Sequence, residues 1–430
     1  MPEKTYRPRA TRPADQAAST DEVKLTQRAR AIHERVIVLD SHIDFEPTDL
    51  ISERNYTQRV ETQFNLPNMI DGGVDALFFV VYVGQTRETQ NPDALKTAGY
   101  ERAYKMAIEK FDAVNHFTRE IAPATIELAS SPADVRRIRS NGKKAALMGV
   151  ENGYPLGEEL DRVKEFHERG ARYLSLAHNG HNQLADSHTG ERDGWKWHGV
   201  SPLGKQVIAE MNRCGIMVDV SHASKESMLQ TAALSQAPVI ASHSAARALC
   251  DVSRNLDDEQ LLALKKTGGV IQMVAYHGFV KTTKPDSPDR AAALAELRQA
   301  YNLPDPNKIT QRARAQAALK AMPAQRRDEY EHKLAEIDNR HPADPPATVK
   351  DFVDHIDYGV NLIGIDHVGI ASDFDGGGGV IGWNDASETF NVTLELVRRG
   401  YSENQIEKLW SGNLLRVMDE AQRIARELRK

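Results

Sequence analysis

The chain has 430 residues, 40% of them hydrophobic and 27% charged, with a formal net charge of −6 at neutral pH. That length allows a large core, the acidic balance gives no electrostatic case for nucleic acid or an anionic membrane as partner, and the absence of any run of 18 apolar residues excludes a membrane-spanning helix. Two cysteines, Cys214 and Cys250, are too few for a disulfide framework and lack metal-site spacing, so each reads as a small core residue.

In chain order, residues 1–23 read as a polar, flexible arm. It is basic but has no apolar segment, so it is not an intact signal peptide, and both a cytoplasmic location and export with the signal removed stay open. From there β-rich runs alternate with helical patterns. The strands are expected at 36–44 (VIVLDSHID), 74–84, 145–151 (AALMGVE), 172–178 (RYLSLAH), 216–222 (IMVDVSH), 238–243 (PVIASH), 269–275 and 367–373 (HVGIASD). Helices between them include 202–215 and 257–269, each ending in glycine. Near-continuous apolar strands fit a parallel sheet covered on its outer face. Eight such units suit a (β/α)8 TIM-type barrel in one domain, residues 24–430, better than a doubly wound sheet. Residues 281–346 break the rhythm after the seventh strand, a polar and helical insertion between proline-rich stretches. It reads equally as a lid over the active face or as a solvated excursion.

The strand ends carry the chemistry. His42, Asp44, Glu151, His178, His222, His243 and Asp373 stand at the carboxyl ends of six different strands. Alternation along a strand puts His42 and Asp44 on one face. Any one strand-end histidine is more often a hydrogen-bonded structural residue than a ligand. Packing, however, gives no reason to collect imidazoles and carboxylates at one barrel mouth, where unpaired carboxylates repel and are desolvated. Bound cations remove that difficulty. His, Asp and Glu are ligands for zinc and similar ions, and five of them with one bridging Glu suit two metals about 3.5–4 Å apart.

The ordered set DSHID (40–44), GVENG (149–153), RYLSLAHNGHNQLADS (172–187), DVSHAS (219–224), SHSAARALCDVSRN (242–255), HVGIASDFDG (367–376) and NLLRV (413–417) resembles the membrane (renal) dipeptidase family, peptidase family M19 of the amidohydrolase superfamily, over residues 30–425. The resemblance implies that His42 and Asp44 bind one zinc, that His222 and His243 bind a second, and that Glu151 bridges them. It implies further that His178 contacts the substrate carbonyl, Arg254 receives the C-terminal carboxylate and Asp373 is the catalytic acid/base. It also implies a homodimer and a dipeptide substrate. An arginine fork matches a carboxylate bidentately, so a receptor fixed relative to the metals favours dipeptides over proteins. Hydrolysis of another carboxylate-bearing amide, a β-lactam or a lactone shares the same ligands and stays open, as does a non-catalytic barrel.

Several nearby groups read as supporting. His181 and Asp186 are expected to make loop hydrogen bonds, and Asp375 to bond around the site. Asp219 either orients His222 or faces away from it. The glycine run 376–379 lacks the Lys-Ser/Thr of a phosphate loop and reads as flexible backbone. Residues 274–280 (VAYHGFV) and the insertion leave the side-chain preference open.

Overall fold

The computed structural model describes residues 20–85, 93–304, 318–319 and 321–430. Residues 1–19 of the expected arm lie outside these. Residues 20–23 already belong to a helix, Thr20–Arg35. Among the described residues nine strands follow in chain order: β1 Leu39–Asp44, β2 Ala76–Tyr82, β3 Ile126–Leu128, β4 Lys144–Glu151, β5 Ala171–Ser175, β6 Met217–Asp219, β7 Ile240–Ser244, β8 Val270–Val274 and β9 Val368–Ala371. Eight pair in the order β1-β2-β4-β5-β6-β7-β8-β9, and β3 pairs only with β4. Every pair is parallel. A further parallel bridge between Ile43 and Phe374, with the Asp44 N–H donating to the Phe374 carbonyl at 2.9 Å, joins the two ends of the sheet. The expected (β/α)8 barrel is therefore present. The unexpected β3 is three residues long and half-exposed over two of them, too short to leave a pattern in the sequence.

Burial follows from this closure. β2 and β4 pair over their whole length, from Ala76 opposite Ala145 to Tyr82 opposite Glu151, and nearly every strand residue is buried on both faces. The flanking helices form where their caps predict. Ser201 accepts from the Gly204 N–H ahead of Pro202–Cys214, and Asp257 forms a capping box with Gln260 ahead of Asp258–Lys266. Among the described residues, no helix is long and apolar enough to cross a membrane.

Residues 282–346 form a compact unit of their own. Its helices Pro288–Ala300 and Ala324–Arg340 enclose a small core of Leu294, Leu297, Tyr301, Tyr330 and Ile337. Arg290 reinforces it, donating to Asp286 and to the His341 carbonyl. Residues 305–317 and 320 of the insertion lie outside the described residues.

Candidate metal centre

A barrel of parallel strands delivers every strand's carboxyl end to one mouth, and the local backbone there is irregular. The β1–β2 register shifts between Asp40 and Ile43, and the β7–β8 register between Ala241 and Ser244. His42 and His243 sit in these irregular stretches, which re-aim side chains that strict alternation would direct elsewhere. His178 and His222 lie three residues beyond the ends of β5 and β6, on loops rather than on the strands expected to reach them. His222 has φ +66° and Asp373 φ +58°. Left-handed backbone at a residue other than glycine is unfavourable and concentrates at functional sites.

The side chains converge on Glu151. Its Oε1 lies 3.0 Å from His222 Nε2, 3.3 Å from His243 Nε2 and 3.7 Å from His178 Nε2. Its Oε2 is 3.7 Å from His42 Nε2, which is also 3.7 Å from Asp44 Oδ2 and 3.9 Å from Asp373 Oδ1. Three overlapping groups have donor atoms close enough to hold a metal ion: His42, Asp44 and Glu151; Glu151, His222 and His243; His42, His243 and Asp373.

Hydrogen bonds behind the imidazoles set their tautomers. Tyr173 Oη donates to the Ser41 carbonyl at 3.1 Å, so it accepts from His42 Nδ1–H, also at 3.1 Å. Ser242 Oγ donates to Asp219 Oδ2 at 2.6 Å and so accepts from His243 Nδ1–H at 2.8 Å. His222 Nδ1 lies 3.0 Å from Asn179 Oδ1. With Nδ1 protonated, each ring presents a bare Nε2, the arrangement in which ligating histidines are held. His222 Nε2 and His243 Nε2 are 3.0 Å apart, and His42 Nε2 is buried without a hydrogen-bond partner among the described residues.

Electrostatics point the same way. Burial lowers the basicity of His42, His178, His222 and His243, so they are neutral and their contacts with Glu151 are not ion pairs. Burial also pushes Glu151 up to about 7, and burial together with the Asp44 and Asp373–Glu151 proximity pushes Asp373 well above the usual carboxylate range. Without a cation the carboxyls hold protons to limit the repulsion among these groups, as their raised pKa values show; a cation among the imidazole nitrogens and carboxylate oxygens removes it and displaces those protons. The donor set is imidazole and carboxylate, which suits zinc.

Arg254 is buried and its charge survives, with burial lowering its pKa only to about 10. Its Nη1 donates to Ser244 Oγ and its Nη2 to the His243 carbonyl, both at 2.7 Å, and its Nε has no partner among the described residues. Its guanidinium lies 5.4 Å from the Phe279 ring centre, and Phe279 stacks on Tyr276.

The weaker expectations divide. Asp186 pairs with His181 at 3.0 Å and accepts from the N–H groups of Lys196, Trp197 and Gly199, which organises the loop as expected. Asp375 accepts from the N–H groups of Gln63 and Phe64, a loop-tying role. Asp219 supports His243 through Ser242 and shows no bond to His222, because its carboxylate is taken by Ser242 and the Ser221 N–H. The glycine run is packed, not open: a Cβ on Gly376 would stand 2.2 Å from Asp44 Oδ2 and 2.4 Å from Asp373 Oδ1. Tyr173, Ser242, Asn179 and His188 were not singled out in the sequence. Tyr173 and Ser242 read there as ordinary strand residues, and their partners are distant in sequence or set by a bulge.

The membrane dipeptidase (peptidase family M19) model matches residues 26–430. Dipeptidase aclJ of Aspergillus oryzae is 31% identical over 409 residues, covering 92% of this chain and 80% of that protein, and dipeptidase 3 of Mus musculus is 29% identical, covering 87% and 60%. The solved structure of the probable dipeptidase PvdM from Pseudomonas aeruginosa is 34% identical and superposes with a TM-score of 0.73 over 94% of this chain and 99% of that one. A metallo peptidase from Rhodobacter sphaeroides, liganded with a phosphinate mimic of L-Ala-D-Ala, shares the fold with a TM-score of 0.64 at 21% identity, over 90% of this chain and 99% of that one. The match of the family model over residues 26–430, nearly the whole chain, shows that the chain belongs to the membrane dipeptidase family, peptidase family M19.

Proposed function

We infer that this chain is a binuclear zinc-dependent dipeptidase. The observation that carries the reading is the contact of His222 Nε2, His243 Nε2 and Glu151 Oε1, three acceptors 3.0–3.3 Å apart with their histidine protons held on the far side of each ring. His42 and Asp44 would hold one cation and His222 and His243 the other, with Glu151 shared between the two groups. When bound, the two cations supply an acidified water and polarise the scissile carbonyl.

The chain's own groups do the rest. His178 stands beside Glu151 at the mouth and donates to the substrate carbonyl oxygen as negative charge develops there. Asp373 takes the proton of the attacking water and returns it to the leaving amine. Arg254, pinned through both Nη atoms, receives the C-terminal carboxylate with its remaining donors and so measures substrate length. The resemblance extends the reading to a homodimer, which sedimentation of the purified chain tests.

The test of the activity is release of free amino acids from a panel of L-L and L-D dipeptides by zinc-loaded and chelated protein. Zinc-dependent cleavage is expected. Two bound zincs with no cleavage of any dipeptide, and turnover of a lactone, β-lactam or N-acyl amino acid instead, would overturn the substrate assignment and keep the metal site.

A further inference from the structure

Behind His222 lies a group of polar side chains that the reaction does not use. Asn179 Oδ1 is 3.0 Å from His222 Nδ1 and 2.9 Å from His188 Nε2. His188 Nδ1 is 2.9 Å from Ser253 Oγ, and the His188 backbone N–H donates to the His222 carbonyl at 2.8 Å. Ser253 precedes Arg254, whose Nη2 returns to the His243 carbonyl. The bonds thus run from one histidine of the Glu151 pair, through Asn179 and His188, to the loop bearing the arginine, and back to the other histidine.

The directions are constrained. An amide oxygen has two lone pairs and accepts two donors. With the oxygen placed as it stands, both His222 Nδ1 and His188 Nε2 carry protons, and Ser253 Oγ–H donates to His188 Nδ1. Every bond is then satisfied and His222 Nε2 is bare. With the amide reversed, its NH2 donates to both rings. His222 then carries its proton on Nε2, against Glu151 and His243, where it cannot take a cation.

We propose that Asn179 is the positioning residue that fixes the metal-binding tautomer of His222, and that His188 and Ser253 hold its amide in the orientation this requires. The proposal rests on the reading of His222 as a metal ligand. It has a practical advantage: Asn179 is solvent-exposed, so replacing it leaves the barrel core intact.

The test is zinc affinity, measured by competition with a chromophoric chelator on wild type, Asn179→Leu, Asn179→Asp and His188→Ala. Loss of a partner of this kind weakens metal binding by about 10–100-fold. In Asn179→Leu one of the two zincs is expected to weaken by that factor while the other holds. Asn179→Asp keeps an acceptor at the same place and is expected to restore affinity. His188→Ala, which frees the amide to rotate, falls between. Two zincs bound by Asn179→Leu with wild-type affinity would overturn the positioning role alone. Equal loss of both zincs in the Leu and Asp variants would show general damage and overturn it too. Fewer than two zincs on wild type would remove the metal reading and this proposal with it.

Discussion

Replacing Tyr173 by Phe removes one oxygen from the centre of the barrel and little else. The ring is fully buried, packs 5.1 Å from Phe78, and abuts Gly149, where a Cβ would come within 2.0 Å of it. Phe keeps that ring, so the change opens almost no cavity. What is lost is the hydroxyl that donates to the Ser41 carbonyl and accepts from His42 Nδ1–H. A buried donor stripped of its partner costs about 1–3 kcal/mol, and loss of a histidine's supporting bond weakens metal binding by about 10–100-fold. Urea unfolding of the chelated variant is expected to show the first, and zinc competition the second, confined to the cation held by His42 and Asp44. Chelated stability unchanged from wild type, together with zinc affinity within twofold of it, would refute the claim that Tyr173 sets the His42 tautomer.

Other perturbations follow from the same geometry. Asp373→Asn is expected to keep two zincs and lose about 10²–10⁴-fold in turnover; zinc content and kcat measured together check it, and near-full activity would remove the proton-transfer role. Glu151 has its pKa raised from 4.5 to about 7 by burial when no cation is present. A raised carboxyl leaves stability untouched below pH 4.5, where folded and unfolded chains are both protonated, and costs stability as pH rises towards 7. Chelated Glu151→Gln should therefore unfold like chelated wild type near pH 4 and be more stable above pH 7, while failing to retain zinc; parallel denaturant curves across that range test the sign. Gly376→Ala drives a methyl into Asp44 and Asp373, and its expected loss of zinc and activity with the barrel still folded is read by metal analysis beside circular dichroism.

The barrel was legible because apolar strands and capped helices are local signals. The site was legible because His42, Asp44, Glu151, His178, His222, His243 and Asp373 sit at or just past strand ends, where a parallel barrel gathers them. What escaped was set by tertiary contact. The sequence puts His178 and His222 on strands because the apolar runs continue past Ser175 and Asp219, whereas the pairing stops there. The bulges at His42 and His243 have no sequence mark. Asp219 was weighed against His222, three residues away, but its work is on Ser242, across to the next strand. The glycine run reads as flexible backbone in the sequence because the neighbours that crowd Gly376, Asp44 and Asp373, are brought there by barrel closure.

A two-cation hydrolytic site at the Glu151 cluster ties activity to metal content. The direct measurement is dipeptide hydrolysis by chelated protein as zinc is added in steps, with bound metal counted at each step. Negligible cleavage without zinc, and full activity reached only at two zincs per chain, are expected. Undiminished cleavage by metal-free protein, or full activity at a single zinc, would contradict a two-cation site.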